Sequence, residues 1–205
     1  SPGDGRIGAM TSDVAAPPVE GIFEDLYDEI ADCPRCALAR TRSRTVPGVG
    51  SSRAEIMFIG EAPGAREDEQ GLPFVGAAGR FLDDLLASIA LSRADVYICN
   101  VVKCRPPGNR DPESEEIAAC RPFLDRQIDI VNPRVIVTLG RFSMARWFPG
   151  VAISRIHGQA RQIEGRTIVP MYHPAAALHR GDLRAVIEAD FARLPALINR
   201  NVAPP

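Results

Sequence analysis

Glu61, Asn100 and His173 each stand at or just past the end of an apolar run. A carboxylate, an amide and an imidazole gathered on one rim can orient a water, read a polar ligand edge and donate a proton. The cysteines form a second chemical set. Cys33-Pro-Arg-Cys36 is a CxxC, and Cys104 and Cys120 enclose fifteen residues. Four thiolates from separated segments suit a tetrahedral metal or a cubane cluster, since both need soft sulfur around a compact centre. Disulfides are the competing reading, and the odd cysteine count argues against them. Cys99 lies inside an apolar run and reads as a small core residue. Spacing alone leaves zinc and iron–sulfur open, although zinc ribbons usually repeat the CxxC.

A third feature is Gly60–Gly79, with five glycines and two prolines in twenty residues, which demands a tightly bent backbone close to a ligand. Its order is neither GxGxxG nor GxxxxGK[ST], and Glu61, Glu67, Asp68 and Glu69 would repel phosphate. A neutral ligand fits better. Phe74, between Pro73 and Val75, is either core packing or a stacking platform for a planar base.

These residues must be positioned by the elements around them. Apolar runs at Glu55–Gly60, Val96–Val101, Arg134–Leu139 and Thr167–Tyr172 predict buried parallel strands. Helical spacing appears at 78–90, 113–130, 141–147 and 183–198, with a short helix from Ile22 to Ile30 running into Cys33. Strands alternating with helices predict an α/β fold, a three-layer α/β/α sandwich around a parallel sheet. The chemistry then belongs where the carboxyl ends of the strands open into loops, at Glu61, Asn100, Gly140 and His173.

Residues 1–20 are small, polar and Pro/Gly-rich and read as a disordered leader, with 1–9 a cloning remnant ahead of Met10. Residues 21–198 read as one domain and 199–205 as a tail. A hydrophobic share of 45% and a charged share of 24% fit a globular protein and exclude disorder or coiled coil for the body. No apolar run approaches the ~20 residues of a membrane span, and no export signal opens the sequence. The net charge of −2 conceals a segregation. Residues 33–54, 130–163 and 165–181 hold 12 of 24 cations and no acid, the footprint of a polyanion binder.

The joint pattern resembles the family 4 uracil-DNA glycosylases, the iron–sulfur class of bacteria and archaea, over roughly residues 22–195. It rests on Cys33-x2-Cys36, GEAPG followed by Glu67-Asp68, GLPFVGAAG from Gly71 to Gly79, Asn100-Val-Val-Lys-Cys104-Arg-Pro-Pro-Gly-Asn109-Arg110, Cys120 and His173-Pro174. The resemblance implies a central four-stranded parallel sheet and a 4Fe–4S cluster on Cys33, Cys36, Cys104 and Cys120. It implies a monofunctional enzyme, a monomer, that flips uracil out of double- or single-stranded DNA. Hydrolysis of the N-glycosidic bond then leaves an abasic site and opens base excision repair. Localisation would be cytoplasmic and nucleoid-associated, with no membrane.

Asn100 is expected to read uracil, with Phe74 stacking on the ring and Glu67 walling off C5. Glu61 would stabilise the sugar cation and orient water, His173 and the backbone at Ala62 would hold O2, and Asn109 would position water or sugar. A related subclass traps DNA on a histidine in a basic insertion. Here KCRPPGNRDPESEE has no insertion and no histidine, and Arg155-Ile156-His157 lies some fifty residues too late. His157 therefore reads as a surface residue of a basic loop. A Schiff-base lyase needs a lysine, and the one lysine, Lys103, precedes a cluster ligand. A non-catalytic binder would have no use for Glu61, Asn100 and His173 together, and an unrelated redox or zinc protein would not carry the whole constellation.

Overall fold

The computed structural model describes residues 19–199, so the leader and tail assignments fall mostly outside it. Val19 and Glu20 already belong to the first helix and Asn199 to the last. In chain order the elements are α1 (Val19–Ala31), β1 (Val49–Gly50), β2 (Ile56–Gly60), α2 (Ala65–Gln70) and α3 (Ala77–Ser88). Then come β3 (Tyr97–Asn100), α4 (Ser114–Val131), β4 (Val135–Leu139), α5 (Arg141–Met144) and α6 (Ile153–Ile156). The chain closes with β5 (Arg161–Ile163), β6 (Arg166–Met171), α7 (Ala176–His179), α8 (Asp182–Ala192) and α9 (Leu194–Asn199).

The sheet order is β1-β3-β2-β4-β6-β5. The four central strands are parallel, as expected, and β1 and β5 add antiparallel edges. The sheet therefore has six strands rather than four. The edges escape sequence reading because two or three partly exposed residues make no apolar run. Pro170 sits in β6 beyond the last β5 rung, where only β4 pairs with it, so the missing N–H leaves no ladder gap on the β5 side.

Alternation along the strands divides the core in two. Met57, Ile59, Cys99 and Ile136 face α1 and α4, together with Leu26, Ile30, Phe123 and Leu124. Ile56, Phe58, Val137 and Val169 face α3 and α8, together with Leu82, Leu85, Ile187 and Phe191. This is the three-layer sandwich. The expected helix over 183–198 is broken at Arg193, because Pro195 lacks the N–H that would continue α8 into α9.

Candidate active site

The carboxyl ends of β2 and β3 run on side by side, because Val101 and Val102 donate their N–H groups to the carbonyls of Gly60 and Glu61. That pairing sets Asn100 over Gly60. A Cβ on Gly60 would lie 2.5 Å from Asn100 Oδ1 and 2.7 Å from Phe74 Cζ, so the amide and the ring occupy the space that only glycine leaves. Gly140, between β4 and α5, has φ +94°, and a Cβ there would meet Glu61 Oε1 at 2.5 Å and the His173 side chain at 3.3 Å. Four strand ends thus converge, as the sequence predicts.

Two cavities result, and they share Ala62, Glu67 and His173 in their walls. The inner one, about 60 Å³, is lined by Ala62, Glu67, Phe74, Asn100 and His173. The outer mouth, about 480 Å³, adds Glu61, Asn109, Asp111 and His179. Every residue assigned to the site from sequence lines one or the other. A third cavity between α4 and α5, walled by Val101, Ile117, Leu124 and Phe142, has arginines as its only charged groups and holds no such constellation.

The electrostatics give each group a distinct environment. Asn100 is buried, yet its side-chain amide bonds to no described residue. The amide lines the inner cavity, so its donor and acceptor are open to a ligand bound there. Burial pushes the Glu61 carboxyl up to about 7, with Asp111 adding to the shift and Arg141 opposing it. Burial lowers His173 to about 4, so the ring is neutral at physiological pH. The Ala175 N–H donates to His173 Nδ1 at 3.0 Å, and the neutral ring must therefore carry its proton on Nε2. His173 also stacks on Phe74, with centroids 5.4 Å apart.

Glu67 is tied down more firmly than a simple wall. It accepts from Gly64 N–H at 3.0 Å and from Val75 N–H at 3.2 Å, closing the loop on itself. Asn109 accepts from Arg105 Nε at 2.7 Å at the mouth.

Two further features escape the sequence reading. Asp68 is buried and accepts from the N–H groups of Ser43 and Arg44, which joins the pocket loop to the basic segment. Leu178 is half-exposed on α7, next in sequence to His179, which lines the outer mouth. A buried acid and an exposed leucine have no local sequence signature. His157 is also corrected. It bonds Asp190 at 2.7 Å through Nδ1 and packs on Tyr172, so it tethers α6 to α8 rather than lying free on the surface. Asp190 arrives from 33 residues away, which spacing around His157 cannot reveal.

The cysteine corner lies under the same rim. Cys33, Cys36, Cys104 and Cys120 line one cavity with Arg42 and Lys103, whereas Cys99 is packed in the core and does not line it. All five thiols are free. Arg42 donates to Cys104 Sγ at 3.4 Å and to the Cys33 carbonyl, and Lys103 N–H donates to Cys120 Sγ at 3.3 Å. Lys103 itself is buried and donates through Nζ to the Asn100 carbonyl at 2.6 Å, with no described carboxylate in ion-pair reach. Burial pushes the Cys104 thiol up to about 11 and raises that of Cys120, so the sulfurs become thiolates only on a bound metal or cluster, and that set would then balance the buried Lys103 charge. Among the described residues no group of three or more His, Cys, Asp or Glu is set to hold a single metal ion. Four sulfur donors around one cavity suit a thiolate-bound metal centre, whether zinc or an iron–sulfur cluster.

The segregation of charge along the chain is partly undone in space. Arg134, Arg141, Arg146 and Arg180 from the acid-free stretches pair with Glu55, Asp111, Asp125 and Asp182. Arg40, Arg44, Arg53 and Arg155 make no ion pair with a described residue. No helix among the described residues is long and apolar enough to cross a membrane.

A sequence model of the uracil DNA glycosylase superfamily matches residues 47–192. The chain is 48% identical over 185 residues to a type-4 uracil-DNA glycosylase of Sulfurisphaera tokodaii, covering 85% of this chain and 84% of that one. It is 47% identical to the type-4 enzyme of Archaeoglobus fulgidus, over 87% and 94% of the two chains. The type-4 enzyme of Saccharolobus solfataricus is 49% identical, over 82% and 83%.

Proposed function

The chain belongs to the uracil-DNA glycosylase superfamily, and from that premise we infer that it removes uracil from DNA in base excision repair as a type-4 enzyme. The observation that carries this reading to particular residues is the buried, unpartnered amide of Asn100 beside the Phe74 ring. Uracil offers an N3–H donor and an O4 acceptor side by side, which one correctly turned amide satisfies at once. Cytosine inverts that pattern and would need the amide turned end for end, so the base is discriminated by holding the amide in its uracil-reading orientation. Glu67, fixed by two backbone N–H groups, forms the side of the pocket assigned to C5 and the exclusion of thymine.

The reaction breaks C1′–N1 and forms C1′–O with water. Positive charge develops on the sugar and negative charge on the departing base. His173 donates from Nε2 to uracil O2, and the Ala62 N–H, which bonds no described residue, donates beside it. A neutral donor suffices here, and keeping it neutral avoids burying a cation in the empty pocket. Glu61 as a carboxylate faces C1′, stabilises the cation and takes the proton of the attacking water. Asn109 lies at the mouth, on the side where the sugar and its water would enter. The target nucleotide must leave the stack to reach the inner cavity. Unpaired Arg40, Arg44, Arg53 and Arg155 are candidates for phosphate contacts.

Cys33, Cys36, Cys104 and Cys120 would hold a 4Fe–4S cluster, whose contribution when bound is to cross-link the segments around residues 33–44, 104 and 120. The protein acts as a monomer in the cytoplasm, near the nucleoid. The test is a panel of uracil, hypoxanthine, xanthine and thymine-mismatch oligonucleotides, read by alkali-dependent nicking. Uracil strands are cut and thymine strands are not. Cleavage of thymine at a comparable rate, or no cleavage of uracil, overturns the reading.

A further inference from the structure

Phe74 has φ +53°, a left-handed conformation that a bulky side chain keeps only where its surroundings impose it. The groups that impose it converge on one guanidinium. Arg93 lies in a tight turn, Arg93–Asp95, just before β3. Its Nη1 donates to the Pro73 carbonyl at 2.8 Å, and its Nη2 donates to the Phe74 carbonyl and, at 3.4 Å, to that of Gly79. Its Nε donates to Asp83 of α3 at 2.6 Å, which fixes the plane of the fork.

The three carbonyls bracket the bend on which Phe74 is carried. Gly79 completes the arrangement, since any Cβ there would collide with the Phe74 carbonyl. With its carbonyl drawn toward Arg93 and α3, Phe74 turns its ring to Gly60, Asn100 and His173. Arg93 lines neither cavity of the site.

We propose that Arg93 is a positioning residue for uracil recognition, holding the strained Phe74 backbone so that the ring forms the floor on which the base stacks. The proposal rests on the reading of Phe74 as the uracil platform. Removing the fork releases the Pro73 and Phe74 carbonyls and lets Phe74 relax out of its left-handed conformation. The base then loses its floor, while contacts to the DNA backbone are untouched.

The experiment uses the cluster-bound parent with Arg93→Ala, Arg93→Lys, Phe74→Ala and the double variant Phe74→Ala/Arg93→Ala. Four quantities are measured: inhibition by free uracil, single-turnover cleavage, affinity for DNA carrying a tetrahydrofuran abasic analogue, and thermal melting. Arg93→Ala should weaken uracil inhibition and slow cleavage by about tenfold each, with abasic-analogue affinity within about twofold of the parent. Arg93→Lys should recover part of the loss, and should Arg93→Ala not fold, it carries the test in its place. In the Phe74→Ala background, removing Arg93 should change uracil inhibition by less than about twofold, because the two residues act as one unit. Undiminished uracil inhibition in Arg93→Ala, additive losses in the double variant, or an equal loss of abasic-analogue affinity would each overturn the proposal. A parent that cleaves no uracil DNA would refute the glycosylase reading itself.

Discussion

The pocket at the strand ends and the cysteine corner are neighbours in the fold, yet they treat polar groups in opposite ways. In the pocket, the Asn100 amide and the Ala62 N–H are left without described partners, and the Glu61 carboxyl is held where its charge is disfavoured. In the corner, donors already point at the sulfurs, from Arg42 and from the Lys103 backbone. Unpaired groups suit a ligand that comes and goes. Pre-aimed donors suit a group that stays. The two regions are joined at two points: Lys103 reaches from the corner to the Asn100 carbonyl, and Asp68 ties the pocket loop to the basic segment behind Cys36. The corner and the pocket therefore share one frame.

The sharpest way to break this contrast is to remove the unpaired groups. Asn100→Ala should lower single-turnover cleavage of uracil DNA by about 10³ or more, since recognition of both uracil edges is lost. His173→Ala should cost about 10²–10³, the usual loss for one donor at a developing anion. Both variants should keep the cluster's colour and the parent's affinity for abasic DNA. Near-parent cleavage by Asn100→Ala would show that another group reads the base.

Removing sulfur ligands should give the opposite pattern. Cys104→Ala and Cys120→Ala should bleach the absorption near 400 nm and lower Tm substantially, because each ligand ties together segments remote in sequence. Cys99→Ala should keep the colour, at a modest stability loss from a core cavity. A bleached Cys99→Ala protein with normal folding would overturn the ligand assignment.

The line between what sequence conveys and what it withholds runs through this same contrast. Glu61, Asn100 and His173 were readable because each follows a continuous apolar run, and parallel strands place such positions on one rim. The central strands were found within a residue or two for the same reason. What was missed depends on partners far apart in the chain. Asp190 turns His157 from a surface group into a tether, Asp68 is read only once Ser43 and Arg44 arrive, and Arg93 acts on a loop nineteen residues away. The edge strands and helix α2, at two to six residues, are too short to carry periodicity.

A smaller effect sharpens the role of Glu61 in the pocket. Its carboxyl sits at about 7, so the charged form needed to assist water accumulates only as pH rises through that value. Single-turnover rate should climb about tenfold per unit below pH 7 and level off above it. His173, neutral throughout that range, adds no second limb. In Glu61→Gln the limb should vanish along with most of the rate. An unchanged acid limb in that variant would assign it to another group.

The smallest effect is on stability, and its sign is opposite to that of an ordinary buried ion pair. Burial raises Glu61 to about 7, well above the ~4.3 of a carboxyl in an unfolded chain. Between those values the folded chain retains a proton that the unfolded chain has released, so stability falls as pH rises from about 4.5 to about 7. Above that window the folded protein carries a desolvated carboxylate with no hydrogen bond to a described residue. Glu61→Gln keeps the shape and removes the charge. The cluster-bound variant should therefore melt higher than the parent at pH 8 by a few °C, given roughly 2–4 °C per kcal/mol for a chain of this size. Toward pH 5, where the parent's carboxyl is protonated, the gap should close. Matching melting curves at pH 8 would show that Glu61 is already solvated or paired, and that the pocket does not hold this carboxylate at the expense of stability.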